Sequence, residues 1–398
     1  MVIKCQPVKT DVMKKDNVFK LPALKEYEKI DSLFDKGNQQ EPRLSADEKV
    51  IDHILYFDPD DPSTQLKTSS PQPELMATIR LPLIPWPAGL APLPQTPAAA
   101  PVAGTPLPKT DILIVTWTVA EALALSDVLT PGFRSKTDWF YYTHNWETDF
   151  EPIIKKGAPA LLANRLGSWY PTKIGNKNVI CFKSELHFAR DGAKIPVQKL
   201  WLQLIAETQA SIIITTGTAG GIGSAVQLGD VALTEKVRFD CNKTFKSEPF
   251  AQQQYLCEKV VPVTKVSLAN SELMSVTTSF LPQSNRTSTI ITQPAPGLTP
   301  VEVVTTDFFA FDDTTNYFKL QNMGLAVEMG DAVLGLACSS LGEDAPAWLA
   351  IRNASDPQID GTLTYSQQVE QAARIYEKYG YWTTVNSAIA CWSVVASQ

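Results

Sequence analysis

The chain is short of histidine, has no paired cysteines and contains no long apolar run, and each absence removes a class of function. Only His53, His144 and His187 occur in 398 residues, too few for a histidine-rich metal centre. The six cysteines, Cys5, Cys181, Cys241, Cys257, Cys338 and Cys391, are scattered without a CxxC pair. Neither a zinc knuckle nor a redox motif is indicated, and reduced, mostly buried thiols are expected. No apolar stretch approaches the roughly 20 residues needed to cross a bilayer, and the opening MVIKCQPVKTDVMKKDNVFK lacks the apolar segment of a secretory signal. A cytoplasmic protein with no membrane partner is expected, so the sequons at Asn242, Asn285 and Asn353 carry no weight. Cationic excess is missing too: 35 Lys and Arg against 42 Asp and Glu leave a net charge of −7. That balance gives no electrostatic footprint for nucleic acid. No motif calls for a metal or another cofactor.

Proline is what the chain has in excess, and it is unevenly placed: eleven of the 29 fall between Pro71 and Pro108. Each proline removes a backbone donor and restricts the residue before it. Residues 71–110 are therefore expected as an extended, partly polyproline II linker, with Leu83, Ile84 and Trp86 available to pack on a neighbouring surface. A ligand for a proline-recognising domain is the functional alternative. Residues 1–70 mix charges of both signs and read as a helical or irregular extension, in which Leu24, Tyr27, Ile30, Leu33 and Phe34 keep helical spacing over residues 22–36.

From Asp111 onward, short β-branched runs alternate with helical segments. DILIVTWT (111–118) reads as a buried strand leading to a helix near Val119. NVICFKS (178–184) and SIIITTG (211–217) are two more strands, separated by an amphipathic helix over 197–208. Strands at 231–239, 301–306 and 346–352 follow, with helices at 330–341, 366–379 and 384–396. Residues 111–398 thus form one α/β layer domain around a mixed, largely parallel sheet flanked by helices.

The most informative stretch is TTGTAGGIGSAVQLGD (215–230), where an apolar strand runs into a glycine-rich turn, Gly217, Gly220, Gly221 and Gly223. Missing side chains there let a ligand approach the backbone. It is no dinucleotide fingerprint, because GxGxxG would need glycine at Val226, and the lysine of a phosphate-binding P-loop is absent. ILIVTWTVAE (112–121) precedes it, and VVTTDFFAF (303–311), AVEMGDA (326–332) and IRNASDPQID (351–360) follow.

In this order, the segments resemble those of the nucleoside phosphorylase and nucleosidase superfamily, which includes purine nucleoside phosphorylases and methylthioadenosine/S-adenosylhomocysteine nucleosidases. The similarity runs over about residues 111–395. It implies a three-layer nucleoside-phosphorylase-like fold and cleavage of a purine–ribose bond. By resemblance Glu121 activates water, Asp356 assists protonation of the purine at N7, and Arg352 and Ser355 orient Asp356. Phe309 stacks on the base, Met329 packs under the ribose, and Thr218, Ala219 and Gly220 line sugar and base. The second of the family's two ribose-binding carboxylates is replaced by Gly330, so either Glu328 grips the hydroxyls alone or Asp331 reaches them. The chemistry fits these residue types: the reaction builds positive charge on the sugar and negative charge on the base. It needs an acid, an acceptor that orients the nucleophile, and walls that exclude water. Each residue also has a plain structural alternative. Asp356 precedes Pro357 in a turn, Glu121 suits a helix N-terminus, and Phe309 and Met329 suit a core, the former beside Phe308 and Phe311.

Phosphorylases of the superfamily hold phosphate with arginines. Here those positions carry Thr215 and the run Thr116-Trp117-Thr118, and a phosphate dianion without a cation is costly to desolvate. Water is the expected nucleophile, which makes the chain an N-glycosidase acting on an adenine nucleoside or nucleotide. A phosphorolytic enzyme and a non-catalytic nucleoside sensor are the alternatives. Lys183, His187 and Arg190 follow a strand and are candidate ligands for a 5′-phosphate; the alternative is a solvated loop with Lys183 paired to Glu185 or Asp191. A homo-oligomer is implied by the resemblance. The extra N-terminal region suggests a regulatory partner and, as a hypothesis, a nucleotide-depleting effector of antiviral defence acting on an ATP-type substrate.

Overall fold

The computed structural model describes residues 46–66, 80–282, 287–293 and 301–398. The helix expected over 22–36, Cys5 and Asn285 lie outside them. In chain order the elements begin with helix α1 (Ala46–Tyr56), strands β1 (Leu93–Pro94) and β2 (Ile112–Thr116), helix α2 (Val119–Leu129) and strand β3 (Phe140–Tyr142). They continue with α3 (Pro159–Ala163), β4 (Gly167–Ile174), β5 (Lys177–Ser184), α4 (Pro196–Thr208), β6 (Ile212–Gly221), β7 (Val231–Thr234), β8 (Lys236–Asp240) and β9 (Gln254–Leu256). The remainder holds α5 (Val266–Leu268), β10 (Ile290–Ile291), β11 (Val303–Thr306), β12 (Ala326–Glu328), α6 (Asp331–Leu341), β13 (Ala347–Asp356) and α7 (Tyr365–Val395).

The strands make one mixed α/β sheet, whose main order is β1-β4-β5-β2-β6-β12-β11-β8-β9. Its centre is parallel, β5 to β2 to β6 to β13. Antiparallel pairs extend it outward, β4 on β5 and β9 on β8. All five residues of β2 and all ten of β6 are buried, as expected of strands covered on both faces. β6 sets the geometry that matters here. β13 follows one of its edges from Ile212 to Gly220. The other edge is shared: β2 pairs with Ile212–Thr215, and β12 takes over at Gly220 and Gly221. Between those partners lies a seam without a strand.

Three expectations change. The glycine-rich segment is not yet a turn at Gly217, since β6 runs on through Gly221. Glycine suits it because other chain elements crowd both sides: a Cβ on Gly220 would fall 3.1 Å from Asp356 Oδ2 and from Val327 Cγ1. The two closing helices are one, α7, capped by Thr364 with Gln367 in a capping box. It passes through Gly380, where a Cβ would lie 2.8 Å from Tyr376 Cδ2, so that glycine makes room for a ring rather than ending the helix. The strand expected over 231–239 is two, β7 and β8, parted at Glu235.

Over residues 80–110 the proline-rich segment lies along the domain. Ile84 and Leu107 are buried, Trp86 packs on Trp392 with ring centroids 4.9 Å apart, and β1 pairs with β4. Leu83 points outward and is 93% exposed, since neighbours in an extended chain face opposite ways. The five described cysteines are buried and unpaired. Among the described residues no helix is long and apolar enough to cross a membrane.

Candidate active site

The seam beside β6 is filled by a carboxylate. Thr118 caps α2, its hydroxyl accepting from the backbone N of Glu121, and Glu121 returns the bond in a capping box. The cap turns the Glu121 side chain back toward the sheet. Its Oε2 accepts from Thr116 Oγ1 (2.9 Å), Trp117 N (3.0 Å) and Thr118 N (2.9 Å). Its Oε1 accepts from Thr218 N (2.7 Å) and Thr218 Oγ1 (2.6 Å). The carboxylate therefore takes up a backbone N–H of β6 at the point where neither β2 nor β12 reaches. Glu121 is a helix-capping acid, and it also faces a cavity.

That cavity is lined by residues from eight stretches of the chain, Glu121, Thr218, Phe309 and Asp356 among them. Asp356 ends β13, where the pairing with β6 shifts register between Ala354 and Asp356 and brings the side chain beside Gly220. Ser355 Oγ donates to Asp356 Oδ1 at 2.9 Å. Burial pushes the Asp356 carboxyl up to about 6, against the opposing effect of the Ser355 bond. A carboxyl so placed holds a proton for part of the time near neutrality, as an acid must. Arg352 does not touch Asp356; it faces away, to Asp331.

Arg352 donates from Nε to Asp331 Oδ2 at 2.8 Å and from Nη2 to Asp331 Oδ1, with Glu328 Oε2 3.3 Å from Nη2. Its guanidinium lies 4.7 Å from the centre of the Trp117 ring. Asp331 is thus spent on the arginine and does not line the cavity, whereas Glu328, Met329 and Gly330 do. Of the two sequence alternatives for the ribose hydroxyls, the geometry favours Glu328. Burial and the neighbouring Asp331 charge push Glu328 up to about 8, opposed by Arg352. Phe309 faces the cavity, while Phe311 packs with Phe318 at 5.3 Å, so the aromatic cluster divides between site and core. Ala219, Gly220 and Ser355 also line the cavity.

The three basic candidates separate. His187 lines the cavity but is uncharged, since burial and the nearby Lys183 push it down to about 3. Lys183 points to another cavity and donates to Glu185 Oε2 at 2.6 Å, the partner anticipated for it. Arg190 is 1% exposed and grips α1: Nε and Nη2 meet the two Asp52 oxygens at 2.6 and 2.9 Å, and Nη1 meets Glu48 Oε1 at 2.8 Å. A solvated loop is not what forms here, and neither is a cluster of cations open to a ligand. Arg352, already held by two carboxylates, is the one Lys or Arg among the described residues lining the cavity. No described group of three or more His, Cys, Asp or Glu is arranged to hold a metal ion.

Sequence reasoning missed Ile54 and Leu55 of α1, Trp117 and Tyr376, all of which line the cavity. The Tyr376 hydroxyl is 3.0 Å from Ile54 O and 2.9 Å from Thr118 Oγ1, tying α1 and α7 to the α2 cap. Trp117 sits between Thr116 and Thr118 at the strand end, and that position was the available signal for it.

The family model described as phosphorylase superfamily matches residues 113–379. No curated protein sequence matches the chain. Among solved structures, the chain is similar to a 5′-methylthioadenosine/S-adenosylhomocysteine nucleosidase from Neisseria meningitidis in complex with methylthio-immucillin-A. Identity is 15%, with 72% of this chain and 99% of that chain covered and a TM-score of 0.45. The corresponding nucleosidase from Colwellia psychrerythraea 34H, in complex with adenine, is 17% identical, covers 73% and 96%, and has a TM-score of 0.43. The futalosine hydrolase of Helicobacter pylori strain 26695 is 12% identical, covers 72% and 97%, and has a TM-score of 0.42.

Proposed function

The chain belongs to the phosphorylase superfamily, and we propose that it is a purine N-ribosyl hydrolase, releasing free base from an adenine nucleoside. The observation that carries this reading is the presence of Glu121 and Asp356 in one largely apolar cavity with no uncommitted cation among the described residues that line it. Asp356, with its raised pKa, donates toward N7 as the glycosidic bond breaks and the base takes on negative charge. Glu121 orients water, which takes the place at Oε1 that the Thr218 hydroxyl holds in this structure. Phe309 and Met329 supply the walls, and Glu328 the hydroxyl contact. Phosphate as nucleophile would enter a cavity whose lining carries Glu121, Glu328 and Asp356 against Arg352 alone, an arrangement that opposes a dianion.

Burial of Arg190 by Glu48 and Asp52 supports a substrate without a 5′-phosphate while α1 is seated, and a control element in α1 itself. A second reading, a nucleoside-binding protein without turnover, is favoured by one observation: Glu121 already accepts five hydrogen bonds. The test is incubation of purified full-length protein with a panel of nucleosides and nucleotides, with and without phosphate, while free base and sugar product are followed. Adenine with free ribose, independent of phosphate, is expected. Ribose 1-phosphate formed only with phosphate would overturn the hydrolase, and tight binding without base release over hours would establish the second reading.

A further inference from the structure

Beside the first cavity lies another of about 500 Å³ that shares none of its lining residues. The two lie back to back across the end of α1 and the start of α2. Ile54, Leu55, Trp117, Thr118 and Glu121 face the first, whereas Tyr56, Asp58, Val119 and Ala122 face the second. Its floor is a cross-strand row. Tyr141 of β3 is opposite Ser168 of β4, which is opposite Lys183 of β5, and directly paired residues project from the same face of a sheet.

The cavity carries donors that the fold leaves unused. Ser168 is 2% exposed and Ser135 8% exposed, both line the cavity, and neither hydroxyl has a hydrogen-bond partner among the described residues. Glu185 holds Lys183 through Oε2 (2.6 Å) and Arg165 through Oε1 (2.7 and 3.0 Å). One carboxylate thus serves two cations, leaving one net positive charge, the third guanidinium nitrogen of Arg165, Nη1, and two ammonium protons on Lys183. Arg165 is fixed over Tyr141, 4.2 Å from the ring centre, so its fork is set before a ligand arrives. The rest of the lining is apolar at Tyr56, Val119, Ala122, Leu162 and Ala163, and adds Thr64 and the ion pair of Lys136 with Asp58, whose charges cancel.

We propose that this cavity is a second small-molecule site, distinct from the candidate active site, that binds a phosphate monoester carrying a compact apolar body. Donors converging from Arg165, Lys183, Ser135 and Ser168 suit the several oxygens of a tetrahedral anion better than the two of a planar carboxylate. The excess positive charge supplies the counter-ion that the first cavity lacks. An occupant rests against Tyr56 in the last turn of α1 and one strand away from Glu121, since Lys183 pairs with Thr116 of β2, whose hydroxyl donates to Glu121.

The experiment is calorimetric titration of the full chain with phenyl phosphate, with benzoate and phenol as controls, on wild type, Ala163→Trp, Arg165→Gln and Phe309→Ala. Ala163 is half-buried at the end of α3, so tryptophan there fills the cavity without disturbing the sheet. Phenyl phosphate is expected to bind wild type and Phe309→Ala alike, with Kd rising about tenfold or more in Ala163→Trp and Arg165→Gln, and benzoate and phenol binding about tenfold more weakly than the phosphate ester. The proposal fails if wild type shows no heat of binding up to about 10 mM, if benzoate matches the phosphate ester, or if binding is lost in Phe309→Ala and kept in Ala163→Trp. Because the readout is binding, the result is independent of whether the protein releases base.

Discussion

Gly217 packs directly against the Glu121 carboxylate: a Cβ placed on the glycine would fall 2.5 Å from both Cδ and Oε1 of Glu121. The glycine also has φ +145, a conformation that L side chains rarely adopt. Gly217→Ala is therefore expected to push the carboxylate out of the seam and to lose base release by about 100-fold. The strained backbone costs about 1–3 kcal/mol of stability as well. Urea unfolding followed alongside adenine release separates the two effects: an alanine variant with normal turnover would show that the position of Glu121 is immaterial.

Asp356 gives a pH prediction whose sign is fixed by its environment. Burial raises its carboxyl from the ordinary value of 3.8 to about 6, so the protonated acid is lost as pH rises through 6. Turnover is expected to fall above that pH, and Asp356→Asn to lower the rate by about 100-fold or more. Stability moves the same way in wild type. The native state holds this proton more tightly than the unfolded chain, so the contribution is complete below pH 3.8 and lost on passing 6, about 3 kcal/mol in all. Asparagine keeps the shape without the charge, so thermal unfolding should show Asp356→Asn above wild type at pH 8 and close to it near pH 4.

What was legible in the sequence, and what was not, follows from the range of the interactions. β2, β6 and the end of β13 were marked by local composition, Ile112–Val115, Ile212–Ile214 and the segment ending in Asp356. The motifs could therefore be placed on strands of one sheet. The division of β6 between β2 and β12 was not legible, because it depends on pairing across a hundred residues of chain or more. For that reason the glycines read as a turn. Asp331 was flagged for the ribose hydroxyls and Arg352 for Asp356, yet they meet each other; opposite charges in a buried site pair before they face solvent. Ile54, Leu55 and Tyr376 carry no chemical signature, and only packing shows that they line the cavity.

Glu328 sits between Asp331 and Arg352, and burial with the Asp331 charge raises it to about 8. Ionised, it accepts from two sugar hydroxyls; protonated, it has one acceptor fewer. KM for the nucleoside is expected to fall as pH rises through 8, and Glu328→Gln to abolish that dependence while raising KM about tenfold. A substrate lacking the 2′-hydroxyl supplies the control. If Glu328 holds that group, the substitution and the deoxy substrate together lose little more than either alone; fully additive losses would assign the hydroxyl to another residue.

The seating of α1 rests on charges that its removal would strand. Arg190 is almost wholly buried, and its three described acceptors are Asp52 Oδ1 and Oδ2 and Glu48 Oε1, with Lys155 Nζ also reaching Glu48 at 2.8 Å. Taking away one side of such a pair leaves the other charge buried, a loss of about 3–5 kcal/mol when both partners are deep in a protein. Asp52 and Glu48 are about a quarter exposed, so the effect here is smaller and falls on the helix rather than on the sheet. The double variant Glu48→Gln with Asp52→Asn is expected to speed amide exchange about tenfold or more across residues 50–56 while β2 and β6 stay protected. It also leaves Arg190 without its carboxylates beside His187, at the edge of the cavity that Ile54 and Leu55 line. Nucleoside 5′-monophosphates should then gain on the parent nucleosides in competition binding. Faster exchange without that gain would separate the helix from substrate choice and confine Arg190 to holding α1 in place.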